Sequence, residues 1–82
     1  MSDHYTDDGC LVIISIPRVG ATFPLHYVYA VAEKDHHKAR NIVEEDLPEE
    51  EEILAVTTLP AAAMKELKLK AGEYTGWPSV RR

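Results

Sequence analysis

The same pattern occurs twice in this chain, about 25 residues apart. An apolar, extended run at 29–32 or 54–57 leads through a short polar corner into a segment with helical spacing at 38–42 or 63–67. Such an alternation predicts two strand–helix units. Because a third apolar run precedes both units, the pattern predicts three strands and two helices.

Length and charge narrow the classes of function. The 82 residues suffice for one domain, which at this size buries only about 60% of its unfolded surface. With 45% hydrophobic and 28% charged residues, the chain lies outside the composition of disordered proteins. A formal charge of −5 and scattered Lys and Arg residues argue against a nucleic acid partner and against a membrane surface.

Cysteine content and the first residues bear on the compartment. Cys10 is the single cysteine, so an intrachain disulfide is excluded. Residues 1–9 have neither the basic nor the apolar region of a secretory signal. The apolar run 10–14 resumes at Ile16 and then meets Pro17, far short of the roughly 20 residues that cross a bilayer. We therefore expect a cytoplasmic protein.

Polar and turn-forming residues predict the boundaries of the domain. Residues 1–9 are polar and end in Asp-Asp-Gly, which is typical of a flexible N-terminal arm. Residues 10–72 form a single α/β domain in this interpretation. Residues 73–82 show no periodicity and predict a C-terminal tail that is partly ordered at most. The predicted strands are 11–16, 25–32 and 53–57, and the predicted helices lie between 35 and 46 and between 58 and 72.

The order of the elements predicts an α+β or α/β fold. A strand–helix–strand unit usually closes as a right-handed crossover, which makes the second and third strands parallel. The first strand, joined to the second by a short turn, pairs antiparallel at its edge. The prediction is a two-layer ββαβα domain with a mixed three-stranded sheet and two helices.

Polar side chains follow both predicted parallel strands. Asp35, His36 and His37 come after the second strand, and Thr57 and Thr58 end the third. Ligands favour the carboxyl ends of parallel strands, and helix N-termini attract anions. These five residues are therefore the candidate ligand-binding residues, suited to an anion or a small polar molecule. The alternative interpretation is that they are helix caps and corner residues.

No motif predicts catalytic residues, a metal site or a cofactor. His36 and His37 are adjacent and point about 100° apart on a helix, which prevents joint chelation. The acidic run 44–52 could attract a basic partner or a divalent cation, but it lacks the alternating ligands and central glycine of a calcium loop, and we favour the interpretation that it is solvated. Cys10 has no predicted histidine partner and is better explained as a buried hydrophobic residue.

One resemblance covers residues 25–73. The segments Tyr27-Val-Tyr-Ala-Val-Ala-Glu33, Lys38-Ala-Arg40 and Met64-Lys-Glu-Leu-Lys-Leu-Lys-Ala-Gly-Glu73 resemble short bacterial hypothetical proteins without assigned activity. The similarity lies in the packing pattern and not in functional residues. It implies a bacterial origin and transfers no site.

Two function hypotheses follow. The second strand is apolar on both faces, and two helices leave part of a sheet uncovered. The first hypothesis is a small noncatalytic protein-interaction module that forms a homodimer, with a different protein as another possible partner. The alternative is a small-ligand-binding or catalytic protein that uses the strand-end residues.

Overall fold

The computed structural model describes residues 6–20 and 22–77. In chain order, the elements are β1 (Gly9–Ile16), β2 (Leu25–Val31), α1 (His36–Glu44), β3 (Glu52–Leu59), α2 (Ala61–Leu67) and β4 (Tyr74–Gly76). The predicted arm and tail lie partly outside the described residues, at 1–5 and 78–82.

β1 lies inside the sheet, between β2 and β3. The strand order is β3-β1-β2-β4, and every neighbouring pair is antiparallel. The predicted three-stranded mixed sheet with a parallel pair is therefore wrong, although the protein is still a small α+β domain. β2 and β3 run in the same direction because each is antiparallel to β1, but β1 separates them.

The composition of β1 explains its inner position. Cys10, Val12 and Ile14 are fully buried on one of its faces, and Leu11 and Ile13 are half-buried on the other. A strand with apolar residues on both faces is stabilised by cover on both sides. β3 instead exposes five of its eight residues and lies at an edge. The crossover argument predicts the shared direction of β2 and β3, but it does not exclude a third strand between them.

The two helices pack on opposite faces of the sheet. α1 contributes Ala39 and Val43 to one buried cluster, and α2 contributes Met64 to another. The first cluster contains Cys10, Val12, Ile14, Val31, Ala39 and Val43. The second contains Ala30, Ala32, Leu59 and Met64. Because neighbouring residues of a strand point to opposite faces, these clusters form a helix–sheet–helix arrangement in place of the predicted two layers.

Local backbone geometry determines where α2 ends. Lys68 adopts a left-handed conformation with φ 56° and ψ 51°, and its amide donates to the Met64 carbonyl. The helix therefore stops after seven residues, earlier than the sequence predicts. Gly72, with φ 89°, provides the turn toward β4, a conformation that glycine adopts without steric cost. Within residues 6–20 and 22–77, neither helix has the length and apolar character needed to cross a bilayer.

Part of the predicted tail forms the edge strand β4. Its residues Tyr74–Gly76 pair with Tyr29–Val31 of β2. The ladder continues by one bond, since the Trp77 amide donates to the Val28 carbonyl at 2.8 Å. The sequence lacks a strand period here because β4 is only three residues long.

Candidate functional site

The carboxyl ends of β2 and β3 lie at the same end of the sheet, which we call the corner. It consists of Asp35–His37, which follow β2, and Thr57 and Thr58 near the end of β3. The shared direction of the two strands brings these segments to one end even though β1 lies between them. The segments that follow β2 and end β3 therefore lie at one end of the sheet, although the sheet topology differs from the predicted one.

His36 and Thr58 are in direct contact at the corner. The His36 Nε2 atom lies 3.0 Å from the Thr58 hydroxyl oxygen, within hydrogen-bond distance. Both side chains are exposed. His36 is the first residue of α1, so the contact joins the start of this helix to β3. An imidazole and a hydroxyl can donate or accept further hydrogen bonds from a small polar ligand.

Asp35 serves as the N-cap of α1. Its Oδ1 atom accepts hydrogen bonds from the His37 amide at 2.8 Å and from the Lys38 amide at 3.2 Å. These backbone hydrogen bonds hold the pKa of the Asp35 carboxyl below its usual value. Capping satisfies amides that would otherwise lack a partner at the helix start. The alternative interpretation of Asp35 as a helix cap is therefore correct.

Thr57 and His37 contribute less directly to the corner. Thr57 faces Leu11 of β1, on the side of the sheet that α2 covers, whereas Thr58 faces Cys10 on the side of α1. Adjacent strand residues point to opposite faces, so only Thr58 meets His36. His37 donates its backbone amide to Asp35. The structure therefore brings together His36, Thr58 and the Asp35 cap, but not Thr57.

Cys10 lies opposite Thr58, a placement that the sequence does not reveal. Its side chain is fully buried, and the thiol donates to the Glu33 carbonyl at 3.1 Å. Burial first, and then the charges of Glu33 and Asp35, raise the pKa of the Cys10 thiol. A thiol with a raised pKa stays protonated near neutral pH and is a poor nucleophile. The arrangement does not support catalysis by Cys10.

An open cleft of about 340 Å³ adjoins the corner. Its lining combines carboxylates, one lysine and small apolar residues: Asp7, Asp8, Gly9, Lys34, Thr58, Leu59, Pro60 and Ala61. Among the residues that the structure describes, no group of three or more His, Cys, Asp or Glu side chains is placed to hold a metal ion. The cleft can offer hydrogen bonds and mixed charges to a small polar molecule.

The outer edge of β3 is a second candidate surface. Along an antiparallel strand, the backbone N–H and C=O groups of successive residues point alternately to the two neighbouring strands. The hydrogen bond from the Trp77 amide to the Val28 carbonyl shows that the backbone groups of Val28 point toward β4. When this alternation is traced from β2 through the paired residues of β1 to β3, the backbone groups of Thr57 point toward β1. It directs the backbone groups of Val56 and Thr58 away from the sheet. Within residues 6–20 and 22–77, no strand pairs with this side of β3, so these groups are available to a strand of another molecule.

The sheet beside this edge is incompletely covered. α2 has seven residues and packs only over the corner end of its face. Farther along that face, Ile13 and its partner Val28 are half-buried, and Ala55 is exposed. Leu54, at a register shift between β1 and β3, keeps 48% of its surface exposed. Apolar surface therefore extends to the edge of β3.

A third surface lies on the outer half of the β1–β2 hairpin. Tyr27 packs edge-on against Tyr29 with ring centroids 5.0 Å apart, and Tyr29 packs in the same way against Tyr74 at 5.2 Å. Beyond these rings, Leu25 is 44% exposed and Phe23 is 74% exposed. The aromatic packing thus ends in an exposed apolar strip, formed by Phe23, Leu25 and Tyr27.

Comparisons with protein-family models, with curated proteins and with solved structures find no match to this chain. The resemblance to short bacterial proteins stays a prediction.

Proposed function

We propose that the protein is a small noncatalytic interaction module that forms a homodimer through the edge of β3. The observation that carries the proposal is the set of outward-directed backbone groups at Val56 and Thr58. Edge strands are usually protected from pairing by charged residues, by proline or by shortness. β3 is eight residues long and has neither a charge nor a proline from Ile53 to Leu59.

A second copy of the chain is the occupant that fits this edge. Antiparallel pairing of β3 with itself is symmetric, as a closed dimer requires. β3 begins at Glu52, the last residue of the acidic segment Glu49–Glu52, and ends beside Lys34, which lines the same cleft as Thr58 and Leu59. Antiparallel pairing sets the acidic start of one strand against the lysine end of the other, twice per dimer. Parallel pairing would oppose like charges.

The dimer would be one continuous eight-stranded sheet, with four strands from each copy. The exposed side chains of Leu54 and Ala55 lie on the strand that forms the junction. Cross-strand pairs of apolar side chains stabilise a sheet by about 0.2–1 kcal/mol each. Dimerisation therefore combines backbone hydrogen bonds with cover for apolar surface at the edge.

Analytical ultracentrifugation between 5 and roughly 500 μM tests the proposal, since edge pairing alone gives weak to moderate affinity. The wild-type chain should shift from 9.2 kDa toward twice that mass as concentration rises. Leu54→Lys places like charges on both sides of the junction, and Thr58→Pro removes an outward N–H; both variants should remain monomeric. Val19→Lys is the matched control, since Val19 is fully exposed in the β1–β2 loop.

Two outcomes would contradict the dimer. A single 9.2 kDa species at all concentrations would show that the protein does not form a homodimer. Dimers that persist in Leu54→Lys and Thr58→Pro would show that the β3 edge is not the interface. Far-UV circular dichroism and a urea unfolding curve establish that each variant is folded.

As a second candidate function, we propose that the corner binds a small polar ligand. Support comes from the contact between His36 and Thr58 and from the adjoining cleft. The two sites use different groups of Thr58, because dimerisation through the β3 edge uses its backbone and the contact with His36 uses its hydroxyl.

Nuclear magnetic resonance titration of the labelled chain with inorganic phosphate and with divalent metal ions separates the two functions. Saturable shifts at His36 and Thr58 at a fixed protein concentration would support the ligand site. Unchanged resonances at both residues would show that the corner does not bind these ligands, and dimerisation would be the favoured function.

A further inference from the structure

The cleft beside the corner is lined by charges of both signs, which come from two separate segments. Asp7 and Asp8 precede β1, and Lys34 follows β2, the strand that pairs with β1. Within residues 6–20 and 22–77, no ion pair and no hydrogen bond engages the ammonium group of Lys34 or the carboxylates of the two aspartates. Opposite charges therefore line one cleft without direct contact between them.

Hydrogen bonds fix the backbone of both segments. The Asp8 amide donates to the Thr6 hydroxyl at 3.1 Å, and the Thr6 amide donates to a carbonyl in the loop after α2 at 2.9 Å. On the other side of the cleft, the Cys10 thiol donates to the Glu33 carbonyl at 3.1 Å, which ties the residue before Lys34 to β1. A ligand would meet charges on a backbone that is already in place, and this lowers the entropic cost of binding.

The remainder of the cleft is uncharged. Leu59, Pro60 and Ala61 are apolar, and Thr58 is polar. The volume of about 340 Å³ lies near the lower limit of the range of roughly 300–1,000 Å³ that is typical of small-molecule sites. The cleft therefore suits a small molecule that combines two charged groups with a short apolar part.

We propose that this cleft binds a small zwitterion, a molecule with one ammonium and one carboxylate group, as in a free amino acid. The proposal rests on the second candidate function, the ligand site at the corner, and does not depend on the homodimer. The ammonium group of the ligand would lie beside Asp7 and Asp8, and its carboxylate would lie beside Lys34. A simple anion would meet two carboxylates beside the lysine, and a simple cation would leave the lysine without a counterion.

Nuclear magnetic resonance titration of the labelled wild-type chain, at a fixed protein concentration, tests the ligand class. The probes are alanine, propionate, which lacks the ammonium group, and ethylamine, which lacks the carboxylate. Alanine should saturably shift the amide resonances of Gly9, Lys34 and Thr58. Its dissociation constant should be about two- to fivefold lower than that of either single-charge probe, which is the gain expected from one exposed ion pair. A dissociation constant for alanine equal to that of either single-charge probe would overturn the proposal.

The outcomes distinguish this proposal from the corner site on which it rests. Propionate or inorganic phosphate that binds as tightly as alanine would overturn the zwitterion and leave the corner as a site for anions. Unchanged resonances with every probe would overturn both the zwitterion and the ligand site.

Removal of single charges from the protein assigns the two ends of the ligand. In Lys34→Gln, alanine should lose its advantage over ethylamine, and in Asp7→Asn/Asp8→Asn it should lose its advantage over propionate. Arg40→Gln and Glu44→Gln are the matched controls, since they remove the same charges from a separate cleft beside the start of β3, and both should keep these advantages. Because all these side chains are exposed, the variants should fold, which circular dichroism verifies. Unchanged preferences in the Lys34 and aspartate variants would contradict the proposal.

Discussion

Replacement of Met64 by alanine tests whether α2 is anchored to the sheet by a single side chain. Met64 is fully buried against Ala30, Ala32 and Leu59, and its sulfur lies against Gly9. A seven-residue helix does not form alone in water, so its stability depends on this contact. Met64→Ala should therefore destabilise the whole domain and release α2.

The expected loss is about 3 kcal/mol. Transfer of a methionine side chain from water to the interior contributes about 1.5–3 kcal/mol, and an unfilled cavity raises the cost of such a replacement to about 2–5 kcal/mol. A value in the lower half is expected because the half-buried Leu67 and Leu69 can move toward the space. A domain of this size has a total stability of about 4–12 kcal/mol. The variant should therefore lose a quarter or more of its stability.

Urea unfolding followed by circular dichroism measures this loss. With a slope of about 1–2 kcal/mol/M, the midpoint should fall by about 1.5–3 M. Lys65→Ala, an exposed replacement one residue away, is the control and should leave the midpoint nearly unchanged. Val43 lies in the cluster under α1, which the sheet separates from the cluster of Met64. The losses of unfolding free energy in Val43→Ala and Met64→Ala should therefore be additive in the double variant, within about 0.5 kcal/mol.

A loss below about 1 kcal/mol in Met64→Ala would refute the anchoring role. A coupling energy well above 1 kcal/mol between Met64→Ala and Val43→Ala would refute the two-sided core, since separated sites do not couple so strongly.

Three further replacements test local features. In Gly9→Ala, the added carbon would lie 2.8 Å from the Val31 carbonyl oxygen and 2.9 Å from the Cε atom of the buried Met64. A loss of about 1–3 kcal/mol is expected in urea unfolding, and an unchanged midpoint would contradict this packing. Tyr74 donates to Asp46, which together with burial raises the pKa of Tyr74 to about 12. Tyr74→Phe should cost about 0.5–1 kcal/mol at pH 7. Because the folded pKa exceeds the unfolded value of about 10, this contribution is complete below pH 10 and disappears as the pH rises through 12; a difference from wild type that persists above pH 12 would argue against it. Asp35→Ala should lower the thermal midpoint at neutral pH. Because the folded pKa of Asp35 is depressed, the difference from wild type should decline as the pH falls below about 4 and vanish below the folded pKa; an equal difference at pH 7 and pH 2 would exclude capping by the carboxylate.

The sequence predicts the positions of β1, β2, β3, α1 and the start of α2 because apolar periodicity is a local signal. Sheet order is not local, since it depends on which edges meet after the chain has crossed the sheet. The run 10–14 offers a clue to the inner position of β1, because its five consecutive apolar residues supply both faces of a strand. β4 offers no such clue, since its three residues are held by partners on β2 and by the bond between Tyr74 and Asp46.

The candidate site is predictable in part. Strand direction alone brings His36 and Thr58 to one end of the sheet, because β2 and β3 both run antiparallel to β1; the predicted parallel pair of these strands is wrong. Alternation along β3 implies that Thr57 and Thr58 cannot both face α1. The position of Cys10 opposite Thr58 follows from the pairing of β1 with β3, which the predicted topology did not include.

The inner position of β1 also orders the events of folding. Its pairing with β2 is local and needs only a hairpin, whereas its pairing with β3 joins residues as distant as Gly9 and Leu59. Distant contacts form more slowly because a longer loop has to close first. During synthesis, one side of the most apolar strand therefore stays unpaired until β3 has left the ribosome, and this interval is when the nascent chain is most exposed to aggregation.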